Sequence, residues 1–431
     1  MRRRGSFALA TALGVATALS AGGAQASAEP AASPLAARTY YVDQSAGNDS
    51  AAGTSTGTAW KSLTKVASAD LKPGDSVLFK RGQSWTGQLN LTRSGTESAR
   101  ITVGAYGSGA RPVIKGHNDA CVNLAGDYLR VTGLQVGVAQ NAGRCSWAGV
   151  SVTGDHNQVV DNHVTGAAAG VFIAPEADST EVTSNELVDN NHMSVNDEKP
   201  DNDSGAFGIL LQGNNSTISW NLISGSIARS YDYGLDGAAI EIFYASHNYI
   251  HHNTSIDNES FTELGTWSDD PDGISTDNYF EYNAIYGDQT RGGLITRGAE
   301  DPNGPVFNTV FRNNSLRLGN AEAEGVVCYA GCTNEHLSMS QNIVYAAGKV
   351  GYADDTFTAS DHNVFSGGQV QFRTGTGDTV ADPRYVSATD LHLQAGSPAI
   401  NRGVRQYWAT DLDDKPTGVG GAVDAGAYER Q

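Results

Sequence analysis

The feature that most constrains this chain is a unit that repeats through its middle. Each copy has a Gly, two apolar residues separated by one position, a turn, and later an Asn followed by an apolar residue two places on. The first part appears as Gly149-Val150-Ser151-Val152, Gly170-Val171-Phe172-Ile173 and Gly208-Ile209-Leu210-Leu211. It recurs as Ala239-Ile240-Glu241-Ile242, Gly293-Leu294-Ile295-Thr296 and Gly325-Val326-Val327-Cys328. Asn pairs five apart stand at Asn157/Asn162, Asn248/Asn253, Asn278/Asn283 and Asn308/Asn313. The second Asn falls at 162, 185, 221, 253, 283, 313 and 342, so the units span 23 to 36 residues.

Strands of three to five residues with a longer repeat do not make a sandwich, whose strands recur every 8–12 residues without one. A short-unit length near 22 with Asn at fixed corners predicts an all-β solenoid: a single parallel β-helix whose rungs sit about 4.8 Å apart. The LxxLxL signature of leucine-rich repeats, the competing architecture, is missing. Trp60, Leu63 and Val66 recur at helical spacing before Pro73-Gly74-Asp75, which predicts an N-terminal amphipathic helix cap over the first rung.

Composition narrows the setting. The 431 residues carry 28 basic and 47 acidic side chains, a formal charge of −19, which excludes a nucleic-acid partner because phosphates need Lys/Arg clusters. No P-loop or GxGxxG stands between a strand and a helix. Arg2, Arg3 and Arg4, the apolar run Phe7 to Ala21, and Ala24-Gln25-Ala26 form the signature of a secretory signal peptide over residues 1–26. No other apolar run is long enough to span a membrane. The expected protein is secreted, extracellular and monomeric. Four cysteines fit that compartment, with Cys121 pairing Cys145 about one rung away and Cys328 closing a tight loop with Cys332. Residues 27–38 read as a flexible leader, 39–116 as cap and first rungs, 117–375 as the β-helix core, and 376–431 as a closing segment.

Thr39-Tyr40-Tyr41-Val42-Asp43, Gly74 to Gly82 (GDSVLFKRG) and Ile101 to Gly107 (ITVGAYG) resemble the opening of secreted pectate-lyase-like right-handed parallel β-helix proteins. Ala381-Asp382-Pro383, Gly396-Ser397-Pro398-Ala399-Ile400 and Asp424 to Glu429 (DAGAYE) resemble the closing segment common in that superfamily. The resemblance implies a right-handed coil acting on carbohydrate. It does not imply one reaction, because the superfold hosts lyases, hydrolases, epimerases and binding proteins.

The candidate chemistry lies in residues 231 to 300. In Ala239-Ile240-Glu241-Ile242 the two isoleucines point inward, so Glu241 points out; Glu263 follows 22 residues later and points out if Leu264 is buried. One rung apart, the two glutamates stack at roughly 5 Å, which raises the pKa of one of them. Carboxylates at that spacing suit retaining glycoside hydrolysis. Long inserts at 191–206, 225–237 and 265–277 flank this column on one face. They supply Asp236 as a further catalytic candidate and His192, Tyr233, Trp267 and Asp270 for substrate binding, with Tyr244 beside the Glu241 strand. Arg297, on the next rung, either binds an acidic sugar or holds a glutamate in its charged form. No cofactor is required; Ca²⁺ is an optional ion, with Asp269 and Asp272 as its ligands and the acidic run 197–203 as a second oxygen-rich loop.

Three activities remain open on a polysaccharide or oligosaccharide partner. A glycoside hydrolase uses Glu241 and Glu263. Lyases of the superfamily use Lys or Arg as base with Ca²⁺ or a basic residue neutralising the uronate; only Lys199 lies between Lys115 and Lys349, which leaves Arg291 or Arg297. A non-catalytic carbohydrate-binding protein relies on aromatics such as Trp267.

Overall fold

The computed structural model describes residues 36–431 apart from 140–142, 267–274 and 355. The expected signal peptide, residues 1–26, lies outside the described residues. So do Trp267, Asp269, Asp270 and Asp272.

Three parallel ladders make up the coil, each rung giving one strand to each. The first ladder runs through twelve strands from Thr39–Val42 to Ser360–Asp361. The second passes through Val122–Leu124, Cys145–Val152, Ala167–Ile173, Phe207–Leu211, Ala238–Phe243, Ser260–Gly265, Gly292–Arg297 and Glu324–Tyr329. The third includes His163–Val164, Glu186–Val188, Leu222–Ser224, Thr254–Ile256, Ala284–Gly287 and Ser315–Leu318. Parallel pairing puts like positions over one another, so the core is built of columns. Val159, Val182, Ile218, Ile250, Phe280 and Phe311 form one of them, each fully buried.

The corner between the first and third ladders holds a continuous amide ladder. The side-chain oxygens of Asn185, Asn221, Asn253, Asn283, Asn314, Asn342 and Asn363 each accept from both the backbone N–H and the Nδ2 of the preceding rung's Asn, from Asn162 onward. Asp378 ends the series by accepting from Asn363. Ladder spacings run from 21 to 36 residues. The residue before each Asn takes a left-handed conformation, from Asp161 (φ 55°) to His362 (φ 57°), which turns the chain through the corner. Such a conformation costs an L-residue roughly 1 kcal/mol, a cost the ladder bonds offset.

The sequence reading placed Asn308/Asn313 one residue out of register. Asn314 carries the ladder, and Asn313 occupies the left-handed corner (φ 52°) that Asn tolerates well. Asn308 likewise sits at φ 44° and donates to Asp277, while Thr309 fills the buried place above Asn278. The helix cap is not supported in the form expected. Among the described residues the α-helix is the single turn Leu63–Ala67, preceded by a 3-10 turn at Thr56–Thr58, and Trp60 lies between them in a parallel bridge to Val42. Trp60, Leu63 and Val66 are all buried, as members of the common core. Both expected disulfides, Cys121–Cys145 and Cys328–Cys332, are formed. Among the described residues no helix is long and apolar enough to cross a membrane.

The closing segment folds back on the coil without regular strands beyond Thr379–Val380. Leu393, Ala399 and Ala425 pack against Ile343 and Val364, and Trp408 lies against His251 with ring centroids 4.2 Å apart. The Nε1 of Trp408 donates to Glu281, which also pairs with Arg312.

Asn253→Ala tests the ladder. The change removes two acceptor contacts from Asn221 and leaves the carbonyl of Ile218 without its Nδ2 donor. A loss of about 2–4 kcal/mol is expected in urea unfolding, with the far-ultraviolet circular dichroism of the folded state unchanged.

Candidate active site

The second ladder sets the site. Ile240, Ile242 and Leu264 are fully buried, so the intervening Glu241 and Glu263 face outward. The two are direct register partners, one rung apart, between Leu210 on one side and Ile295 on the other. Backbone pairing fixes that spacing at about 4.8 Å.

Arg297 is packed against Glu263. Its guanidinium donates to Glu263 and to the Leu264 carbonyl, and its Nε lies 3.3 Å from Asp301 Oδ1. Only 7% of its surface is exposed, so it is committed to Glu263 rather than presented to solvent. The guanidinium also lies 5.8 Å from the ring centre of Phe243, and that ring covers Gly265, where a Cβ would come within 2.5 Å of it. Gly265 is therefore a packing requirement for the aromatic wall beside Arg297.

The environment of the pair is strongly acidic. Burial pushes the Glu241 carboxyl well above its ordinary range; the charges of Glu263 and Asp236 add to the rise, and Arg297 opposes it. Asp236 ends a hairpin in which Ala228–Ser230 pairs with Gly234–Asp236, two residues before the Glu241 strand begins at Ala238. Burial, with the charges of Glu263, Asp203 and Asp232, pushes its carboxyl up to about 7, although its Oδ1 accepts from the Gly237 N–H at 2.8 Å. A fourth carboxylate, Glu259, was missed in the sequence. It immediately precedes the Glu263 strand, is pushed by burial up to about 7, and is opposed by Arg291, whose Nε lies 3.3 Å away. Its only sequence signal was proximity to Glu263.

Two of the flanking inserts are bound to each other through acidic side chains. Asp203 accepts from the backbone of Asp197, Tyr231 and Asp232 and from the Ser230 hydroxyl; Asp232 accepts in return from the backbone of Asn202 and Asp203. Asp203, within the 197–203 run, thus shapes the two loops. Among the described residues no group of three or more His, Cys, Asp or Glu is arranged to hold a metal ion. The expected ligands Asp269 and Asp272, and the expected binding residues Trp267 and Asp270, fall outside the described residues.

Of the remaining binding candidates, Tyr233 is 49% exposed at the tip of the Asp236 hairpin. Burial and the charges of Asp201, Asp232, Asp236 and Glu263 raise its pKa, which ties its phenol to the acidic field. Tyr244 sits beside Phe243 with ring centres 6.4 Å apart. His192 faces Arg144 at 3.4 Å, and burial together with that guanidinium holds its imidazole below the usual value.

Comparison with known proteins agrees with this architecture. Residues 148–370 match the family described as the right handed beta helix region. A lacto-N-biosidase of Bifidobacterium longum subsp. longum is 40% identical over 115 residues, 25% of this chain but only 7% of that protein. Among solved structures, a GH136 lacto-N-biosidase from Eubacterium ramulus superposes with a TM-score of 0.55 at 17% identity, covering 80% of this chain and 67% of that one. Pectate lyase Pel9A superposes with a TM-score of 0.54 at 16% identity, covering 91% and 96%. At those identities the likeness is one of fold.

The pKa shifts dictate a pH dependence of stability. Asp236 and Glu259 titrate near 7 when folded and in the ordinary carboxylate range when unfolded, so the folded state binds the extra protons between those values. Their contribution is fully present below about pH 4 and is lost as pH rises through about 7. Asp236→Asn is expected to raise the melting temperature by about 2–4 °C at pH 8.5 and to leave it near the wild-type value at pH 4. Thermal denaturation at the two pH values checks this.

Proposed function

We propose, on the premise that the chain belongs to the right-handed β-helix family, that it is an exported carbohydrate-active enzyme and hydrolyses glycosidic bonds with Glu241 and Glu263. The observation that carries the reading is the split environment of this pair. Glu263 has the Arg297 guanidinium bound to it, whereas burial and neighbouring carboxylates favour the protonated form of Glu241. A carboxylate paired with a guanidinium beside a carboxyl driven toward its protonated form is the arrangement in which one acts as anion and the other as acid.

In this mechanism Glu263 attacks the anomeric carbon while Glu241 protonates the departing glycosidic oxygen. The leaving sugar takes that proton, and a glycosyl ester on Glu263 remains. Glu241, now ionised, removes a proton from water, which displaces the ester and restores both groups. Arg297 positions the attacking oxygen, and the charge of Asp236 adds to the field that keeps Glu241 protonated. Rung spacing of about 4.8 Å is close to the separation of retaining enzymes, about 5–5.5 Å, and leaves no room for a water between the carboxylates. The anomeric configuration should therefore be kept.

Elimination from a uronate is less well supported. Its candidate bases are already paired, Arg297 with Glu263 and Asp301, and Arg291 with Glu259. The carboxylates around them would repel an anionic polymer. Two disulfides are consistent with action in an oxidising, extracellular compartment.

Turnover of a neutral oligosaccharide should fall by on the order of 10³-fold or more in Glu241→Gln and in Glu263→Gln, and the double variant should lose little beyond either single one. The product anomer, followed by proton NMR during hydrolysis, should match that of the substrate. Inversion, or products bearing the ultraviolet absorbance of unsaturated uronates, would reject the mechanism.

A further inference from the structure

The glutamate column does not stay polar when followed toward the N-terminus. Glu241 pairs with Leu210, and Leu210 with Phe172, all three on the outward side of the same ladder. Phe207 and Leu210 belong to an apolar cluster separate from the main core, against which Trp147 and Phe172 pack. The first two are nearly covered, at 5% and 8% exposure, while Trp147 and Phe172 remain half-buried at its rim. Their rings meet edge to face, 5.2 Å between centroids at 66°.

Large apolar side chains in outward positions mark a surface meant to be covered, all the more when they border a polar site. Binding sites commonly combine aromatic walls with a few placed polar groups, and here the two lie on one column. Phe172 stands two rungs from Glu241, roughly 10 Å along the axis. That distance is more than one sugar unit. The acidic field excludes an anionic occupant: with Asp236 and Glu259 beside the pair, four carboxylates share the site, and the nearby Arg291 and Arg297 are already neutralised by two of them.

We propose that the Trp147–Phe172 pair is a stacking platform for a neutral pyranose unit of the substrate, remote from the bond at Glu241 and Glu263. The substrate chain then lies along the solenoid axis and crosses successive rungs. This inference rests on the reading of the face as a carbohydrate site, and it names the substrate class: an uncharged oligosaccharide long enough to reach both places.

The test uses the full-length exported protein carrying Glu263→Gln, so that bound sugars stay intact. Cellohexaose, xylohexaose, chitohexaose and a β-linked galactohexaose are titrated by calorimetry, each beside its disaccharide. The best hexasaccharide should bind on the order of tenfold more tightly than its disaccharide, the scale of one aromatic contact. Adding Trp147→Ala should abolish that advantage, and Trp147→Phe should restore most of it. Phe172→Ala serves as the second variant if near-ultraviolet circular dichroism shows that Trp147→Ala disturbs the fold.

An advantage that survives both alanine variants, or failure of every hexasaccharide to bind, overturns the platform. Hydrolysis by the wild type with Trp147-independent binding would leave the catalytic reading standing and remove the platform. Trp147-dependent binding without hydrolysis of any of these sugars by the wild type would do the reverse.

Discussion

Parallel pairing one rung apart is the constraint from which the rest of this structure follows. It forces every side chain to stand over its counterpart at about 4.8 Å, whatever their chemistry. Apolar residues inside the coil gain from that stacking, as the Val159 to Phe311 column shows. An amide gains as well, because it both donates and accepts: each Nδ2 in the Asn ladder finds the next Oδ1 within 2.9–3.1 Å. An ionised carboxylate can only accept. Glu241 over Glu263 is therefore the same geometry turned unfavourable, and the two cannot both be ionised cheaply.

That contrast explains how the site is assembled. Arg297, one rung farther on, compensates Glu263, and the cost of the pair falls on Glu241. Asp236 and Glu259 add to the field rather than relieving it. Several carboxyls raised together destabilise the fold at alkaline pH. The amide corner and the continuous core supply the rigidity that holds them in place. The loop carboxylates of Asp203 and Asp232 do something different: they satisfy backbone N–H groups and stitch two inserts together.

The solenoid and the stacking of Glu241 on Glu263 were legible in the sequence because both are periodic, and a fixed rung converts spacing into contact. Register at a single corner was not, since Asn313 and Asn314 are adjacent and only the left-handed backbone decides which one joins the ladder. The commitment of Arg297 was left between two roles, because outward and exposed are not the same: neighbouring loops bury an outward side chain without any local signal. Glu259 escaped for that reason, and His192 was placed in the site on loop membership alone, whereas its neighbour is Arg144.

Carbon-detected NMR titration of the glutamate side-chain carboxyls, assigned with the two glutamine variants, tests the account most directly. The account predicts that the Glu241 carboxyl titrates well above the ordinary carboxylate range and that Glu263→Gln moves it back toward that range. A Glu241 carboxyl that titrates in the ordinary range, unmoved by the change at Glu263, would contradict it.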